Sequence, residues 1–474
     1  MYQLDRIIEP LGIEYIGAFV VCGGHDVLLI DQITLTTEET VQRILGFRPD
    51  VVGFSCMAFS YPETMRIASL VKRESPQIVT VLGGYHVLGM ESCPACFDIV
   101  VRGEGEVPFR GIVDAFESSS TLAGVAAVPG IVFLRGQGIP QPTAPTDDFC
   151  HAFPRVRPLR RSHGLENMRY FSRNLGENYA DTRTACVVLA RGSPFRCSFC
   201  ATPVMYNGRH SARDLDDVLD EISDLAVGPL RTNHINFRDE TLYPRAAALD
   251  LAKGLLERGL CLTWRAFITP GVLADPSDYR ALYESGCRLL FMGAESSDAA
   301  SLRRMRKPVN PRLVSDHVAM AQAAGIYVRV GFMIGDEDET EERLQAHAAY
   351  LDEMCPDAVY ISYLTPFPGT PIYADLRSRG RLLSEDLSLY DCASPIIKPQ
   401  ALSLERLYAA REWMNRHFYG GSRWVNHMRR RAARSTQEYE TIRTYARHLE
   451  CSLGVSSPLD EPRTGVQAQA EPNI

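Results

Sequence analysis

A pair of closely spaced cysteines at the end of an apolar run constrains this chain more than any other feature. The stretch TACVVLARGSPFRCSFCATP, residues 184–203, predicts a short strand over residues 186–190 and then a loop that carries Cys197 and Cys200. Two cysteines separated by two residues, placed where a strand ends, form a metal site more often than a disulfide. The stretch therefore predicts a metal-binding loop.

The same stretch resembles the cluster loop of the radical S-adenosylmethionine (SAM) enzymes, which has the pattern Cys-x3-Cys-x2-Cys with an aromatic residue before the last cysteine. Cys197 and Cys200 match its last two cysteines and Phe199 matches the aromatic, whereas Ser193 stands at the first position. In that family three thiolates hold three irons of a [4Fe-4S] cluster, and SAM chelates the fourth iron. The resemblance implies that Cys197, Cys200 and Ser193 are the catalytic metal ligands.

The serine leaves three alternatives open. The Ser193 alkoxide ligates iron, as a harder donor than a thiolate that alters the cluster potential. A third ligand comes from elsewhere, or the cluster is absent or contains fewer irons.

Composition narrows the class of protein. A chain of 474 residues is long enough for two or three domains, and its apolar fraction of 45% and charged fraction of 23% are those of a soluble globular protein. A net charge of -8 gives no support for a nucleic-acid partner. We expect no secretory signal and no membrane span, because the chain has no apolar h-region at its start and no run of about 18 apolar residues. Thirteen irregularly spaced cysteines then favour reduced thiols in the cytoplasm.

The N-terminal third alternates apolar runs, at residues 27–30, 51–55, 78–82 and 99–101, with helical patterns at 37–45 and 62–73. This alternation predicts an α/β fold, a parallel sheet with helices on both faces, whose ligands lie beyond the carboxyl ends of the strands. The sequences found at those ends are Ser55-Cys56, Gly83-Gly84-Tyr85-His86 and Gly103-Glu104-Gly105-Glu106.

The order of these segments, PLGIEYIGAFV, RPDVVGFSC, VTVLGGYHV and VVRGEGEVPF, resembles the cobalamin-binding domain that precedes the barrel in one large radical SAM class. The resemblance implies a Rossmann-like cobalamin-binding domain over residues 1–135. Its candidate cofactor-binding residues are Ser55, Cys56, Gly83, Gly84, His86, Gly103 and Glu104. The chain lacks the Asp-x-His-x-x-Gly motif, so cobalamin is expected without a histidine below the cobalt.

The beginning of this domain departs from the family. An apolar strand precedes the Pro-Leu-Gly segment in the family, but only MYQLDRIIE stands before Pro10 here. We therefore expect either a translation start further upstream or a missing first strand.

The segment over residues 181–385 predicts six strand-helix units. Its candidate strands are 185–190, 234–238, 262–268, 289–294, 327–334 and 358–363, and its candidate helices are 213–226, 245–258, 276–285, 311–324 and 339–354. Six units suit the partial (β/α)6 barrel of the radical SAM fold, with the active site at the carboxyl ends of the strands.

Several charged residues of this barrel are candidate SAM contacts by resemblance. Asp239 and Glu240, in INFRDET, are similar to the acidic motif that binds the SAM amino group, and Glu295 takes the place of a polar contact to the SAM ribose or amino acid end. Arg265 and Arg329 lie within strands, where they pair with the SAM carboxylate or form ion pairs inside the barrel.

The remaining segments predict connections and a cap. Residues 136–180 are expected to form a proline-containing linker, 386–454 a helical substrate cap, and 455–474 a disordered tail.

The resemblance, which covers residues 10–420, implies a radical SAM enzyme with a [4Fe-4S] cluster, SAM and cobalamin. It implies a methyltransferase acting on an unactivated carbon of a small-molecule biosynthetic intermediate, supplied with electrons by an external donor such as flavodoxin or ferredoxin. Alternatives are cyclisation, ring contraction or oxidation with the same cofactors, or an accessory protein that keeps the fold without the cluster. The sequence names no substrate.

Overall fold

The computed structural model describes residues 9–32, 35–90, 92–119, 122–134, 156–159 and 183–432. The predicted tail and most of the predicted linker lie outside these residues, as does the end of the predicted C-terminal helical region. The described chain contains two sheets built mainly of parallel strands, one in each half.

The N-terminal sheet has four strands in the order β1-β2-β3-β4. Strands β1 (Val51–Ser55), β2 (Val79–Gly83) and β3 (Ile99–Val101) are parallel, whereas β4 (Ile131–Leu134) is antiparallel to β3. The α/β architecture is confirmed, but the sequence pattern missed the antiparallel edge strand. The helices around this sheet are Leu11–Val21, Thr37–Phe47, Tyr61–Glu74 and Glu106–Ser119.

The predicted strand over residues 27–30 is wrong, because the structure assigns these residues to no strand. In the part of the chain that the structure describes, no strand pairs with the outer edge of β1, so residues 27–30 do not form backbone hydrogen bonds of a sheet there. Residues 27–30 and β1 instead line one cavity, and Leu28 is exposed.

The second half begins with β5 (Thr184–Val187), followed by a hairpin of β6 (Ala190–Gly192) and β7 (His210–Ala212). The predicted first barrel strand is therefore shorter than expected, because the chain leaves the barrel sheet after β5. Within the hairpin, Gly192 allows a close approach to the residue before β7, because its φ is +80° and a Cβ there would lie 2.0 Å from the carbonyl oxygen of Arg209.

The barrel sheet has six parallel strands in the order β12-β11-β10-β9-β8-β5. Its remaining strands are β8 (His234–Phe237), β9 (Thr263–Ile268), β10 (Cys287–Glu295), β11 (Tyr327–Ile334) and β12 (Ala358–Tyr363). The helices that follow the strands are Leu215–Val227, Arg245–Glu257, Pro276–Glu284, Pro311–Ala323 and Glu341–Met354. Shorter helices are Thr202–Met205, Ala299–Arg304 and Pro371–Ser378. The predicted partial barrel is thus confirmed.

Alternation along β9 shows how this sheet separates its two faces. Trp264, Ala266 and Ile268 are buried in the core shared with the helices. Arg265 and Phe267, which alternate with them, stay partly accessible on the other face, the barrel interior. The barrel therefore carries its polar side chains inward.

Two C-terminal helices, Leu404–Gly420 and Ser422–Ala432, pack on the last barrel strand. The Tyr419 hydroxyl donates to the carbonyl of Val359 at 2.9 Å and accepts its N–H at 3.0 Å, which ties the first of these helices to β12. Across the described ranges, no helix is both long and apolar enough to cross a membrane.

Candidate functional site

The cysteine loop, residues 193–200, follows β6 at the mouth of the barrel. It is held from both sides: Ser193 donates its N–H to the carbonyl of Arg209 at 3.2 Å, and Ser198 donates its N–H to that of Met305 at 2.9 Å. Phe199 packs in the apolar cluster that contains Met305. The local fold therefore brings Ser193, Cys197 and Cys200 onto one fixed loop.

Two thiols and one hydroxyl are the side-chain groups on this loop that the sequence predicts as metal donors. Burial raises the pKa of the Cys197 thiol to about 11 and also raises the pKa of Cys200. Ser193 is buried, and its hydroxyl accepts the Phe195 N–H at 3.2 Å. Among the described residues, no group of three His, Cys, Asp or Glu side chains is placed to hold a metal ion, so the structure offers no replacement of those types for the missing cysteine.

Asp239 stabilises the strand that leads to the cysteine loop. It is buried at the end of β8, and its carboxylate accepts the backbone N–H groups of Leu189, at 3.1 Å, and of Ala190. Burial raises the pKa of Asp239 to about 7 despite these hydrogen bonds. The structure thus directs both Asp239 oxygens to the backbone, where they position the loop.

Glu240, the next residue, lines the cavity between the two halves of the chain. The hydroxyl of Tyr85, from the Gly-Gly-Tyr-His segment, donates to Glu240 Oε1 at 3.2 Å. Desolvation in this cavity raises the pKa of Glu240. The contact joins the end of β2 in the N-terminal sheet to the end of β8 in the barrel.

Glu295 ends β10 in a strained conformation, with a φ of +63° after a register shift between Gly293 and Glu295. Non-glycine residues adopt this region rarely, and such strain clusters at functional sites. Its Oε1 accepts from Lys307 Nζ at 2.6 Å. Glu295 is therefore a carboxylate fixed at the barrel mouth beside an ammonium group.

A cavity of about 1130 Å³ lies along the carboxyl ends of the N-terminal strands and extends to the barrel. Of the residues proposed to bind cobalamin, Ser55, Gly83, Gly84, Gly103 and Glu104 line it. Gly84 has a φ of +94°, and a Cβ there would lie 2.5 Å from the Cys56 carbonyl oxygen. Only glycine therefore lets the end of β2 pack this closely against the backbone of Cys56.

Cys56 and His86 lie behind this cavity rather than on its wall. The backbone N–H of His86 donates to the Cys56 carbonyl at 3.2 Å, and its ring stacks on Tyr61 with centroids 4.0 Å apart. Burial lowers the pKa of His86 to about 4 and raises that of Cys56 to about 12, so both are neutral at pH 7. They support the wall through packing.

Arg191 connects the two halves at the other side of the cavity. Its guanidinium lies 2.7 Å from Glu106 and 3.0 Å from Glu104, and 5.0 Å from the centre of the Tyr15 ring. Burial raises the pKa of Glu104 to about 7, with the Glu106 charge acting in the same direction and Arg191 against them. This cluster fixes the Gly-Glu-Gly-Glu turn against β6.

Arg265 and Arg329 lie inside the barrel below its mouth. On β10, Leu289 is the register partner of Arg265 and Phe291 is that of Arg329. Phe291 itself precedes Glu295, the end of β10, by four residues. The Arg329 guanidinium lies 5.7 Å from the Phe291 ring centre. The structure therefore does not bring these two arginines to the level of the cysteine loop.

The sequence pattern missed Lys307, Arg191 and Tyr85 as site residues. Lys307 lies outside the quoted motifs, and Arg191 and Tyr85 stand inside quoted stretches at positions to which the motifs assign no role. Only the fold brings each of them to the cavity or the loop. The one signal for Tyr85 is its place inside the Gly-Gly-Tyr-His strand end.

Comparison with protein families identifies both halves of the chain. A B12 binding domain model matches residues 3–113, and a radical SAM superfamily model matches residues 187–351.

Individual relatives match along most of the chain. An uncharacterized methyltransferase of Pyrococcus horikoshii is 27% identical over 84% of this chain and 85% of its own. The anaerobic magnesium-protoporphyrin IX monomethyl ester cyclase of Rubrivivax gelatinosus is 25% identical over 86% of this chain and 74% of its own. The structure of the radical SAM methyltransferase TsrM of Kitasatospora setae, with cobalamin and a [4Fe-4S] cluster bound, matches with a TM-score of 0.67 and 19% identity over 87% of this chain and 82% of that one.

Proposed function

We propose, from the premise that the chain is a radical SAM protein with a B12 binding domain, that it is a cobalamin-dependent methyltransferase. Its substrate is a small biosynthetic intermediate, methylated at an unactivated carbon. A methyltransferase relative and a methyltransferase structure of the same architecture support this assignment.

The observation that carries the proposal is the cavity that extends from the N-terminal sheet to Gly192, the residue before the cysteine loop. Its wall runs from the glycine ends of the N-terminal sheet to Arg238 and Glu240 at the end of β8. Methylation of an unactivated carbon needs the methyl carrier and the radical source to reach one substrate, so the two sites have to open into one space. The Tyr85–Glu240 hydrogen bond keeps the two strand ends together.

The residues on the wall fit a large cofactor. Gly83, Gly84 and Gly103 allow the backbone to approach a broad ligand closely, and they line a cavity of about 1130 Å³ that also runs along β1, which is large enough for a cofactor. Neutral His86, packed on Tyr61 behind the wall, is not placed as a ligand below a metal.

The cysteine loop fits an iron-sulfur cluster by the chemistry of its donors. Cys197 and Cys200 are the thiolate ligands, with Ser193 as the third donor. When bound, the cluster and SAM supply a radical that abstracts hydrogen, and cobalamin supplies the methyl group. Glu295 and Glu240 bind the amino acid end of SAM, while Asp239 positions the loop through its two backbone hydrogen bonds.

A second candidate activity uses the same cofactors for oxidative cyclisation. The cyclase relative, matched over 86% of this chain, favours it. In methyl transfer, one SAM is converted to S-adenosylhomocysteine for each SAM that is cleaved to 5'-deoxyadenosine. Cyclisation forms no S-adenosylhomocysteine. We further propose a cytoplasmic location and an external one-electron donor such as flavodoxin or ferredoxin.

Anaerobic reconstitution followed by iron, sulfide and cobalamin quantification tests the proposal. We expect about four irons, about four sulfides and one cobalamin per chain, from the composition of the two cofactors. Both SAM products should then form when a reductant is added. A protein that binds cobalamin but neither iron nor SAM would identify an accessory protein, and 5'-deoxyadenosine without S-adenosylhomocysteine would favour the cyclase.

A further inference from the structure

Lys307 lies next to the cysteine loop, although it is more than one hundred residues away in the chain. It follows the short helix Ala299–Arg304, and the loop's Ser198 donates its N–H to the Met305 carbonyl at 2.9 Å. The Ser198 hydroxyl also donates to the Arg304 carbonyl at 3.4 Å. These hydrogen bonds fix the segment that carries Lys307 against the segment that carries the thiols.

The Lys307 ammonium is buried and is held by Glu295. Only 11% of the lysine side chain and 12% of the glutamate side chain are exposed, and Nζ lies 2.6 Å from Oε1. Gly293 leaves the room for this pair, because a Cβ at that position would lie 2.7 Å from Nζ and 2.2 Å from Oε1. A side chain at residue 293 would displace the cation.

The ammonium is also electrostatically coupled to both thiols. The charge of Lys307 acts against the burial that raises the pKa of Cys197 and Cys200. A cation buried on the segment that is hydrogen-bonded to the cysteine loop acts on charge at the loop, because little water screens it. The Cys-x3-Cys-x2-Cys pattern specifies no charged residue, and Lys307 stands outside the loop, so its placement beside the loop is a property of the folded site.

Resting on the proposed function, we propose that Lys307 is a positioning residue of the cluster site whose ammonium raises the reduction potential of the bound cluster. Reduction adds one electron from an external low-potential donor and breaks no bond. The added negative charge is stabilised by the nearby cation, and charge near a cluster is one of the factors that set its potential. The Glu295 carboxylate fixes the cation in place and acts on the potential in the opposite direction.

Redox titration of the reconstituted holoprotein without SAM, monitored by electron paramagnetic resonance, tests this inference. We expect Lys307→Met to lower the reduced-to-oxidised ratio at a fixed potential about tenfold, which corresponds to about 59 mV for a one-electron couple. Lys307→Arg should restore most of the wild-type ratio. Lys253→Met is the matched control, since that lysine is exposed on a barrel helix.

Glu295→Gln separates a charge effect from loss of structure. Removing the Glu295 carboxylate should raise the reduced fraction of the cluster, opposite to the change in Lys307→Met. If the ion pair has only a structural role, the reduced fraction should change in the same direction in Lys307→Met and Glu295→Gln. If Lys307→Met takes up no iron, the inference is tested by the cluster reduction potential of Glu295→Gln. A potential equal to or below that of the wild type overturns the inference. A full cluster with an unmoved potential in Lys307→Met overturns this inference alone. A wild type that takes up no iron overturns the proposed function and, with it, this inference.

Discussion

The N-terminal sheet ends β2 and β3 in glycines, whereas the barrel ends β8 and β10 in carboxylates. At Gly83, Gly84 and Gly103 the wall is made of backbone, and what matters there is the absence of a side chain. On the barrel side, Glu240 on the cavity wall and Glu295 at the barrel mouth are carboxylates held by hydrogen bonds from elsewhere in the chain. A broad cofactor needs open space, while a small zwitterion and a cluster need fixed charges and donors.

The comparison predicts that substitutions at the glycine strand ends and at the barrel carboxylates impair cofactor binding for different reasons. Adding a side chain should damage the glycine side, and removing one should damage the charged side. The two sides should therefore lose different cofactors, and each loss is measured separately.

The largest effect is expected at Ser193, since two thiols alone do not complete the donor set. If its oxygen ligates iron, Ser193→Ala should lose most of the cluster iron, whereas Ser193→Cys should keep it and shift the reduction potential. Iron quantification and visible absorbance after anaerobic reconstitution measure both. Ser378→Ala, at an exposed position far from the loop in the chain, is the control and should keep its iron.

Two results would change this assignment of Ser193. A full cluster that survives Ser193→Ala would require a ligand outside the set on the cysteine loop. A wild type that reconstitutes poorly and cleaves no SAM, together with an iron-sulfur spectrum in Ser193→Cys, would identify a protein that lost its radical chemistry with the cysteine.

Gly84→Val should abolish cobalamin binding and leave the iron content intact. The new Cβ would lie 2.5 Å from the Cys56 carbonyl oxygen, so the wall has to move. Cobalamin absorbance and iron content, measured on the same sample, check this. Gly259→Val shares the positive φ but meets no atom within 4 Å, so it separates backbone strain from closure of the cavity. Equal cobalamin retention in wild type and Gly84→Val would contradict the cobalamin assignment.

A smaller effect is expected from Glu295→Ala on SAM affinity. Loss of a hydrogen bond to a charged group costs about 1.5–3 kcal/mol, which weakens binding roughly 10- to 150-fold. Calorimetry on the reconstituted protein measures it, with the exposed Glu342→Ala as control. Unchanged SAM affinity would remove Glu295 from the site.

The sequence predicted the features that depend on local patterns and missed those that depend on contacts between distant segments. The barrel strands were predictable because their apolar runs alternate regularly with amphipathic helices. The run at residues 27–30 has the same composition but no pairing partner in the described chain, and a strand depends on its neighbour as well as on its own residues. Cys197 and Glu240 could be found from their motifs, whereas Lys307 and Arg191 could not. Their roles come from contacts between segments about a hundred residues apart, which no local pattern contains.

The smallest effect is expected where the two sides meet, at Glu104. Burial raises its pKa from 4.5 to about 7, and the Glu106 charge adds to this, while the guanidinium of Arg191, which faces both carboxylates, acts against it. A carboxyl with a raised folded-state pKa stabilises the fold fully below its unfolded pKa and loses that contribution as the pH rises through the folded value. Without added cofactors, the wild type should therefore lose stability between about pH 4.5 and pH 7 relative to Glu104→Gln, by at most about 3 kcal/mol. Urea unfolding across this range measures the difference, with the exposed Glu117→Gln as control. Parallel pH profiles for wild type and Glu104→Gln would show that Arg191 satisfies both carboxylates, and that the glycine side and the charged side are joined by a fully ionised cluster.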